Sequence, residues 1–390
     1  MIGCTKLLCG TATVSDIVKY GRSSQHLPPQ MLQFSSDATP IVVWNSTNRC
    51  NLNCQHCYIC AEDRDYAGEF TTAEAKNFID DLAAMRVPVL LFSGGEPLVR
   101  RDLFELGAYA IEKGIRPVIS TNGTLITPEL AKRIKATGFQ YVGVSIDGSE
   151  EVHDYFRGKA GAFKETLAGI RNSIAAGNKT GIRFTVNKLN YHTLPAILDI
   201  VEREKIPRFC MYHLVYAGRG REMAALDTTA EQKRQTIELL IERTLDFHKR
   251  GIEVEILTTD NHADGIYILQ YFERTQPERV PEIKELLSMH GGCSAGQKMA
   301  NVDPQGEVHA CQFWGHKSLG NVRKQPFSEI WHNKQDKFLC KLRDKPSYVT
   351  GRCGECRYKG FCGGCRIRAE AVSGDLWSED PACYLTDYKE

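Results

Sequence analysis

Asn48-Arg-Cys-Asn-Leu-Asn-Cys-Gln-His-Cys-Tyr58 sets Cys50, Cys54 and Cys57 in a C-x3-C-x2-C array closed by an aromatic residue. Three thiolates do not complete a tetrahedral zinc site, which takes four ligands. They can hold three irons of a four-iron cluster and leave the fourth without a protein ligand. An open iron is where chemistry can happen, because ligation by four cysteines is saturating. The bland alternative is a group of buried structural thiols, and the surroundings of the array decide against it.

Outward from the array, the chain reads as alternating strands and helices. Ile41-Val-Val-Trp44 is a short apolar strand that leads straight into the cysteines. Thr71-Thr-Ala-Glu74 is a capping box that opens a helix to about Met85. Strands are expected at Val87 to Phe92, Pro117 to Ser120, Gln140 to Ser145, Gly181 to Val186 and Arg208 to Leu214. Helices are expected over 101–113, 127–137, 162–176 and 191–204. Six βα units of this kind indicate an α/β fold with a parallel sheet. Helix 230–249 and a strand at Glu253 to Leu257 follow.

Polar motifs fall at the strand ends. Ser93-Gly-Gly-Glu-Pro97 follows the second strand: the glycines allow close backbone approach, and Glu96 offers an acceptor to an ammonium group. Ser120-Thr-Asn-Gly-Thr124 and Ser145-Ile-Asp-Gly148 end the next two strands, with Gly123 and Gly148 as turn formers. Asp147 either orients a ligand or caps its loop. The sixth strand runs into Tyr212-His-Leu-Val-Tyr-Ala-Gly-Arg-Gly-Arg221, where Arg219 and Arg221 are candidate carboxylate clamps. The polar loop Thr258 to Gly265 has no evident packing purpose, and its His262 is a candidate proton donor or metal ligand.

Composition narrows the class further. The 390 residues are 42% hydrophobic and 25% charged with a formal net charge of +1, which is ordinary for a globular protein. Nothing in that balance points to nucleic acid or an anionic membrane. The longest apolar run, Val87 to Phe92, is far too short for a membrane span. Fifteen cysteines without an apolar segment after Met1 argue for metal binding in a reducing cytoplasm, not a disulfide scaffold. Cys4 and Cys9, in a leading arm of residues 1–39, read as ordinary thiols.

The cysteine array with Tyr58, followed by Gly94-Gly95-Glu96, resembles the signature of the radical S-adenosylmethionine (radical SAM) enzymes. The resemblance implies a partial (β/α)6 barrel over 40–257 and a [4Fe-4S] cluster whose open iron chelates SAM. Functional residues of α/β barrels sit at the C-terminal ends of the strands. By the same resemblance Tyr58, Gly94, Gly95, Glu96, Asn122, Ser145, Arg157 and Asn187 contact SAM. Arg157 would steady its carboxylate and Asn187 its adenine.

Most remaining cysteines lie in 291–390: Cys293, Cys311, Cys353-x2-Cys356-x5-Cys362-x2-Cys365 and Cys383. Paired C-x2-C units also build zinc ribbons. Behind a radical SAM core they resemble the SPASM domain, which carries auxiliary iron–sulfur clusters. That resemblance implies one complete site from Cys353, Cys356, Cys362 and Cys383, and a second from Cys293, Cys311 and Cys365 that lacks a ligand. Cys340, substrate or solvent would complete the second. The last pair is separated by two residues where the family pattern has three. Residues 258–290 read as a linker or substrate-covering segment.

Met1-Ile-Gly-Cys-Thr-Lys-Leu-Leu-Cys-Gly10, Tyr20-Gly-Arg22, Asp260-Asn-His-Ala-Asp-Gly265, Gly320-Asn-Val-Arg323 and Arg368-Ala-Glu-Ala-Val-Ser-Gly-Asp375 look like tetrapyrrole-tailoring radical SAM enzymes. That group includes the didecarboxysiroheme deacetylases and their relative in haem d1 synthesis. The implied reaction removes acetate side chains from didecarboxysiroheme and ends at iron coproporphyrin III. The implied partners are an iron tetrapyrrole and a flavodoxin- or ferredoxin-type electron donor. Tyr212, His213, His262, Arg219 and Arg221 are the expected substrate and catalytic residues, with Tyr216 as a wall. The competing readings are a SPASM-type peptide maturase and a cluster-bearing electron-transfer protein.

Overall fold

The computed structural model describes residues 1–10, 39–290 and 292–389; Tyr20-Gly-Arg22 and Pro28-Pro29 of the leading arm lie outside the described residues. One sheet of 11 strands organises the chain, in the order β1-β8-β7-β6-β5-β4-β3-β2-β9-β10-β11. The strands are β1 Ile2–Gly3, β2 Ile41–Thr47, β3 Val89–Gly94, β4 Arg116–Thr121, β5 Val142–Ser145 and β6 Thr180–Val186. They continue with β7 Arg208–His213, β8 Glu255–Thr259, β9 Met299–Val302, β10 Glu307–His309 and β11 Gly320–Asn321.

Strands β2 through β8 pair in parallel, each with its neighbour in sequence. The expected six-unit barrel is present, and β8 extends it. Strand β9 then joins β2 in parallel, Val42 opposite Ala300, so the cysteine-rich C-terminal region grows from the barrel's own edge. On the other edge β1 closes against β8 antiparallel, Ile2 opposite Thr258. The leading arm therefore contributes a strand, and the helix Cys4–Cys9 buries Cys4, Leu7 and Leu8.

The helices follow from local sequence. Thr71 accepts from the Glu74 amide at 3.3 Å while Glu74 accepts from the Thr71 amide at 2.8 Å, which is the capping box of helix Thr72–Ala84. The segment expected as linker carries the helices Ala263–Thr275 and Val280–His290, which bury Ile266, Leu269, Phe272, Ile283 and Leu287. The loop with no evident packing purpose is in fact the end of β8 and the first turn of a packed helix. Its polar residues have distant partners: His213 lies 2.9 Å from Asp264, and the Tyr384 hydroxyl donates to Asp264 at 2.8 Å.

Strand alternation separates two faces. Along β7, Phe209 and Met211 pack outward into the helical core, while Arg208, Cys210 and Tyr212 face the barrel lumen. Strands buried on both sides are usually apolar throughout. Here the inner faces of β6, β7 and β8 carry Arg183, Arg208, Tyr212 and Glu255. Those departures from an apolar pattern mark the site.

Candidate active site at the strand ends and in the lumen

The loop between β2 and the helix Thr72–Ala84 carries Cys50, Cys54 and Cys57, and the backbone that follows β3 clamps it in place. The Gly95 amide donates to Thr47 O at 2.8 Å and the Glu96 amide to Arg49 O at 2.9 Å. A Cβ on Gly94 would lie 2.3 Å from Thr47 O, and one on Gly95 2.2 Å from Arg49 O. Both glycines are thus required by the protein's own close approach, before any ligand is considered.

The thiols are furnished with donors suited to a thiolate. Leu52 N–H lies 3.4 Å from Cys50 Sγ, Ala61 N–H 3.3 Å from Cys57 Sγ, and Arg157 Nη1 3.5 Å from Cys54 Sγ. Burial pushes the Cys50 thiol up to about 12, with Glu96 adding to the effect, so a bound cation is what would make it a thiolate. Hydrogen bonds to ligating sulfur also tune a cluster. This donor set fits a cluster held by Cys50, Cys54 and Cys57.

Around the cluster loop the strand-end residues form one polar network. Glu96 is fully buried and accepts from Thr121 Oγ1 and the Asn122 amide at 2.8 Å each, and from the Leu98 amide at 3.1 Å. A carboxylate offers about four acceptor positions, so one remains for an ammonium group. Asn122 Nδ2 donates to Asn51 Oδ1 at 2.9 Å, tying β4 to the cluster loop. Arg157, at the end of helix Glu150–Arg157, pairs with Asp147, while its buried Nε has no hydrogen-bond partner among the described residues. That leftover donor suits a carboxylate of SAM. Asp147 also accepts from the Thr185 amide at 2.9 Å and faces His56 Nε2 at 3.5 Å. Burial pushes His56 down to about 4, so it stays neutral; its role beside the cluster cysteines was not apparent in the sequence. Asn187 engages its side chain locally, accepting from the Leu189 amide at 2.9 Å. Ser145 ends β5 opposite Arg183. Tyr58 donates to Asn45 Oδ1 at 2.7 Å and meets Phe313 edge-on at 5.5 Å, linking the cluster loop to the C-terminal region.

Glu96 gives a pH-dependent prediction. Burial raises its carboxyl to about 7, against the opposing pull of its hydrogen bonds. It is charged above that value and neutral below, and only the charged form attracts an ammonium. SAM affinity, measured by equilibrium dialysis on reconstituted protein, is therefore expected to fall as pH drops below about 7, approaching roughly tenfold per unit. Glu96→Gln is expected to flatten that profile; a profile identical to wild type would refute the assignment.

Below this network lies the main cavity, about 320 Å³, within the range of small-molecule sites. Tyr212 and His262 line it; Arg219, Arg221, His213 and Tyr216 do not. Arg219 instead holds the cluster loop, donating to Cys54 O at 2.8 Å and Ala61 O at 3.2 Å. Arg221 faces solvent. His213 points out of the lumen to Asp264, and Tyr216 donates to Asp227 at 2.8 Å. In their place the lumen is lined by Lys6, Arg183, Arg208 and Lys298 together with the carboxylates of Glu255 and Asp260. Arg366 also lines it, but its guanidinium turns away to Leu376 O at 3.0 Å and towards Cys353 Sγ at 3.8 Å. Asp260 sits at φ +69° between β8 and its helix, and burial raises its carboxyl. The signal for Arg183 was present: a charged residue in the middle of Gly181-Ile-Arg-Phe-Thr-Val186.

The C-terminal cysteines separate into two groups. Cys293, Cys311 and Cys365 line the main cavity, whereas Cys353, Cys356, Cys362 and Cys383 line a small one of about 20 Å³. The Cys293 amide donates to Cys362 O at 3.2 Å where the two groups meet. Donors again point at sulfur: Phe313 N–H to Cys311 at 3.4 Å and Asp380 N–H to Cys353 at 3.4 Å. Both groups therefore fit cluster ligation. Cys340 is exposed, donates to Lys334 O at 3.2 Å and lines neither cavity, so it does not stand with the first group.

Residues 44–201 match the family model of the Radical SAM superfamily, and 293–357 that of the SPASM iron-sulfur cluster-binding domain. The chain is 52% identical to the Fe-coproporphyrin III synthase of Methanosarcina barkeri over 99% of this chain and 98% of that protein. It is 42% identical to the Pre-heme d1 synthase of Dinoroseobacter shibae, over 89% and 86% of the two chains. Streptococcus suis SuiB bound to precursor peptide SuiA shares the fold at TM-score 0.70 and 17% identity, over 89% of this chain and 76% of that one. Matched along nearly its whole length and carrying both cluster-binding regions, the chain belongs to the radical SAM superfamily, as an enzyme that uses SAM, a SAM-binding [4Fe-4S] cluster and a C-terminal SPASM iron–sulfur domain.

Proposed function

We propose that this enzyme removes acetate side chains from didecarboxysiroheme to give iron coproporphyrin III. The observation that carries the reading is the 52% identity, over almost the full length of both chains, to a protein named Fe-coproporphyrin III synthase. The lumen supports it independently. A tetrapyrrole with several carboxylates calls for a partly apolar cavity with cationic anchors. This cavity combines Val43, Leu91, Val118 and Phe313 with the cationic residues Lys6, Arg183, Arg208 and Lys298, and His262 stands at its wall. When bound and reduced, the cluster supplies the electron that splits SAM into methionine and a 5′-deoxyadenosyl radical, which takes a hydrogen atom from carbon. Around it, Glu96 and Arg157 orient the two ends of the SAM amino-acid moiety, and Tyr58 fixes the loop beneath. A low-potential donor of flavodoxin or ferredoxin type delivers the electron. Among the described residues no helix is long and apolar enough to cross a membrane.

The test is turnover by the full chain, reconstituted anaerobically with iron and sulfide. Didecarboxysiroheme, SAM and dithionite are expected to yield iron coproporphyrin III and 5′-deoxyadenosine by mass spectrometry. Conversion to a pre-haem d1 type product, or modification of a peptide with no change in any tetrapyrrole, would replace this reading.

A further inference from the structure

We propose that Arg183 is the principal anchor for a carboxylate of the substrate, an inference that rests on the tetrapyrrole reading above. Two arginines project into the lumen from adjacent strands, and their surroundings differ. Arg208 lies 3.3 Å from Glu255 and over the Tyr141 ring at 4.9 Å, so the protein itself matches its charge. Arg183 donates to Ser120 Oγ and lies over the Tyr212 ring at 4.7 Å. Among the described residues no Asp or Glu comes within 4.0 Å of it.

An arginine withdrawn from bulk water into a largely apolar chamber carries a large desolvation cost unless an anion answers it. It cannot relieve that cost by losing its proton, as a lysine could. Ser120 and Tyr212 orient the guanidinium without neutralising it: a hydroxyl accepts one N–H, and a ring face contributes a weaker attraction. What remains is a planar fork open to the cavity, the geometry that binds a carboxylate bidentately. The position also suits the reaction. Ser145, at the end of β5, is the register partner of Arg183, and Phe313 and Cys311 line the same chamber. A carboxylate held on Arg183 therefore sets one edge of the macrocycle between the SAM side of the barrel and the auxiliary site.

The experiment uses the reconstituted full chain and iron coproporphyrin III as probe, with binding followed by the shift of its Soret band. Arg183→Gln is expected to weaken binding roughly 10- to 100-fold, the usual effect of losing a charge-assisted pair. Converting the probe's propionates to amides is expected to weaken binding to wild type comparably, and to Arg183→Gln little further. Arg183→Lys should fall between the two. Visible cluster absorbance is expected to stay at the wild-type level, since the hydrogen-bond and ring partners of Arg183 are Ser120 and the Tyr212 ring and not a cysteine. The apparent melting temperature of Arg183→Met is expected to be unchanged or higher, since the charge serves a ligand and not the fold. Arg183→Gln binding the free acid as tightly as wild type would overturn the anchor and leave the tetrapyrrole reading standing. Loss of cluster absorbance in that variant, with unchanged probe affinity, would make Arg183 a structural partner of a cluster instead. If wild type binds no iron tetrapyrrole, the function reading fails and the anchor fails with it.

Discussion

Replacing Cys50, Cys54 or Cys57 with alanine is expected to abolish 5′-deoxyadenosine formation in dithionite-reduced enzyme. The three side chains sit on one short loop whose backbone is clamped by Gly95 and Glu96, just after β3, and by Arg219 from beyond β7. That loop cannot draw in a substitute ligand without breaking these bonds. Cys60, three residues on, is exposed and held at φ +54°, outside the buried group. A cluster on two thiolates loses its hold before SAM can bind, so the effect is complete loss of product and not a reduced rate. The triple variant should still bind iron and sulfide at the C-terminal cysteines and keep a charge-transfer absorbance band. Substantial 5′-deoxyadenosine from that variant would remove the basis of the whole catalytic assignment.

Asp380→Ala is expected to be the most damaging single change in the C-terminal region, although Asp380 is not one of the candidate cysteine ligands. Its carboxylate receives Arg368 Nε and Nη2 at 2.9 and 2.8 Å, the Cys365 amide at 2.7 Å and the Ala382 amide at 3.0 Å. Arg368 in turn reaches Leu214 O at 3.3 Å, across to the barrel. Burial alone would push the Asp380 carboxyl up, but Arg368 and the amides hold it down at about 2. Removing it leaves a fully buried guanidinium uncompensated, a loss of roughly 3–5 kcal/mol. It also frees the backbone at Cys365. A lowered apparent melting temperature and reduced C-terminal iron should appear together, and pairing Arg368→Met with Asp380→Leu should recover much of the stability. Because the carboxyl is depressed in the folded state, its contribution is present above the ordinary aspartate range, near 4, and is lost as pH falls towards about 2. Wild-type stability in Asp380→Ala would show that the pair is incidental.

How much of this was legible beforehand follows from the range of each interaction. By itself the sequence determined whatever depends on neighbours in the chain. The C-x3-C-x2-C loop, the capping box at Thr71 and the βα alternation are readable from spacing, because their partners lie within a turn, a loop or one βα unit. The two cysteine sets of the C-terminal region, by contrast, came only from the resemblance to the SPASM domain. Only the tertiary structure decided which polar side chains face the chemistry. Arg219 and Arg221 look alike as residues of one basic loop, yet one is bonded to the cluster-loop backbone and the other is in solvent. His213 and Tyr212 are adjacent, yet strand alternation turns the first to Asp264, 51 residues away, and the second into the lumen. The lumen's charge balance depends on β6, β7 and β8 lying side by side. Arg208 finds Glu255 across one strand pair, while among the described residues Arg183 finds a hydroxyl and a ring but no carboxylate at ion-pair distance. Whether a buried charge is matched is a property of the assembled sheet, since its partners come from strands that are distant in sequence.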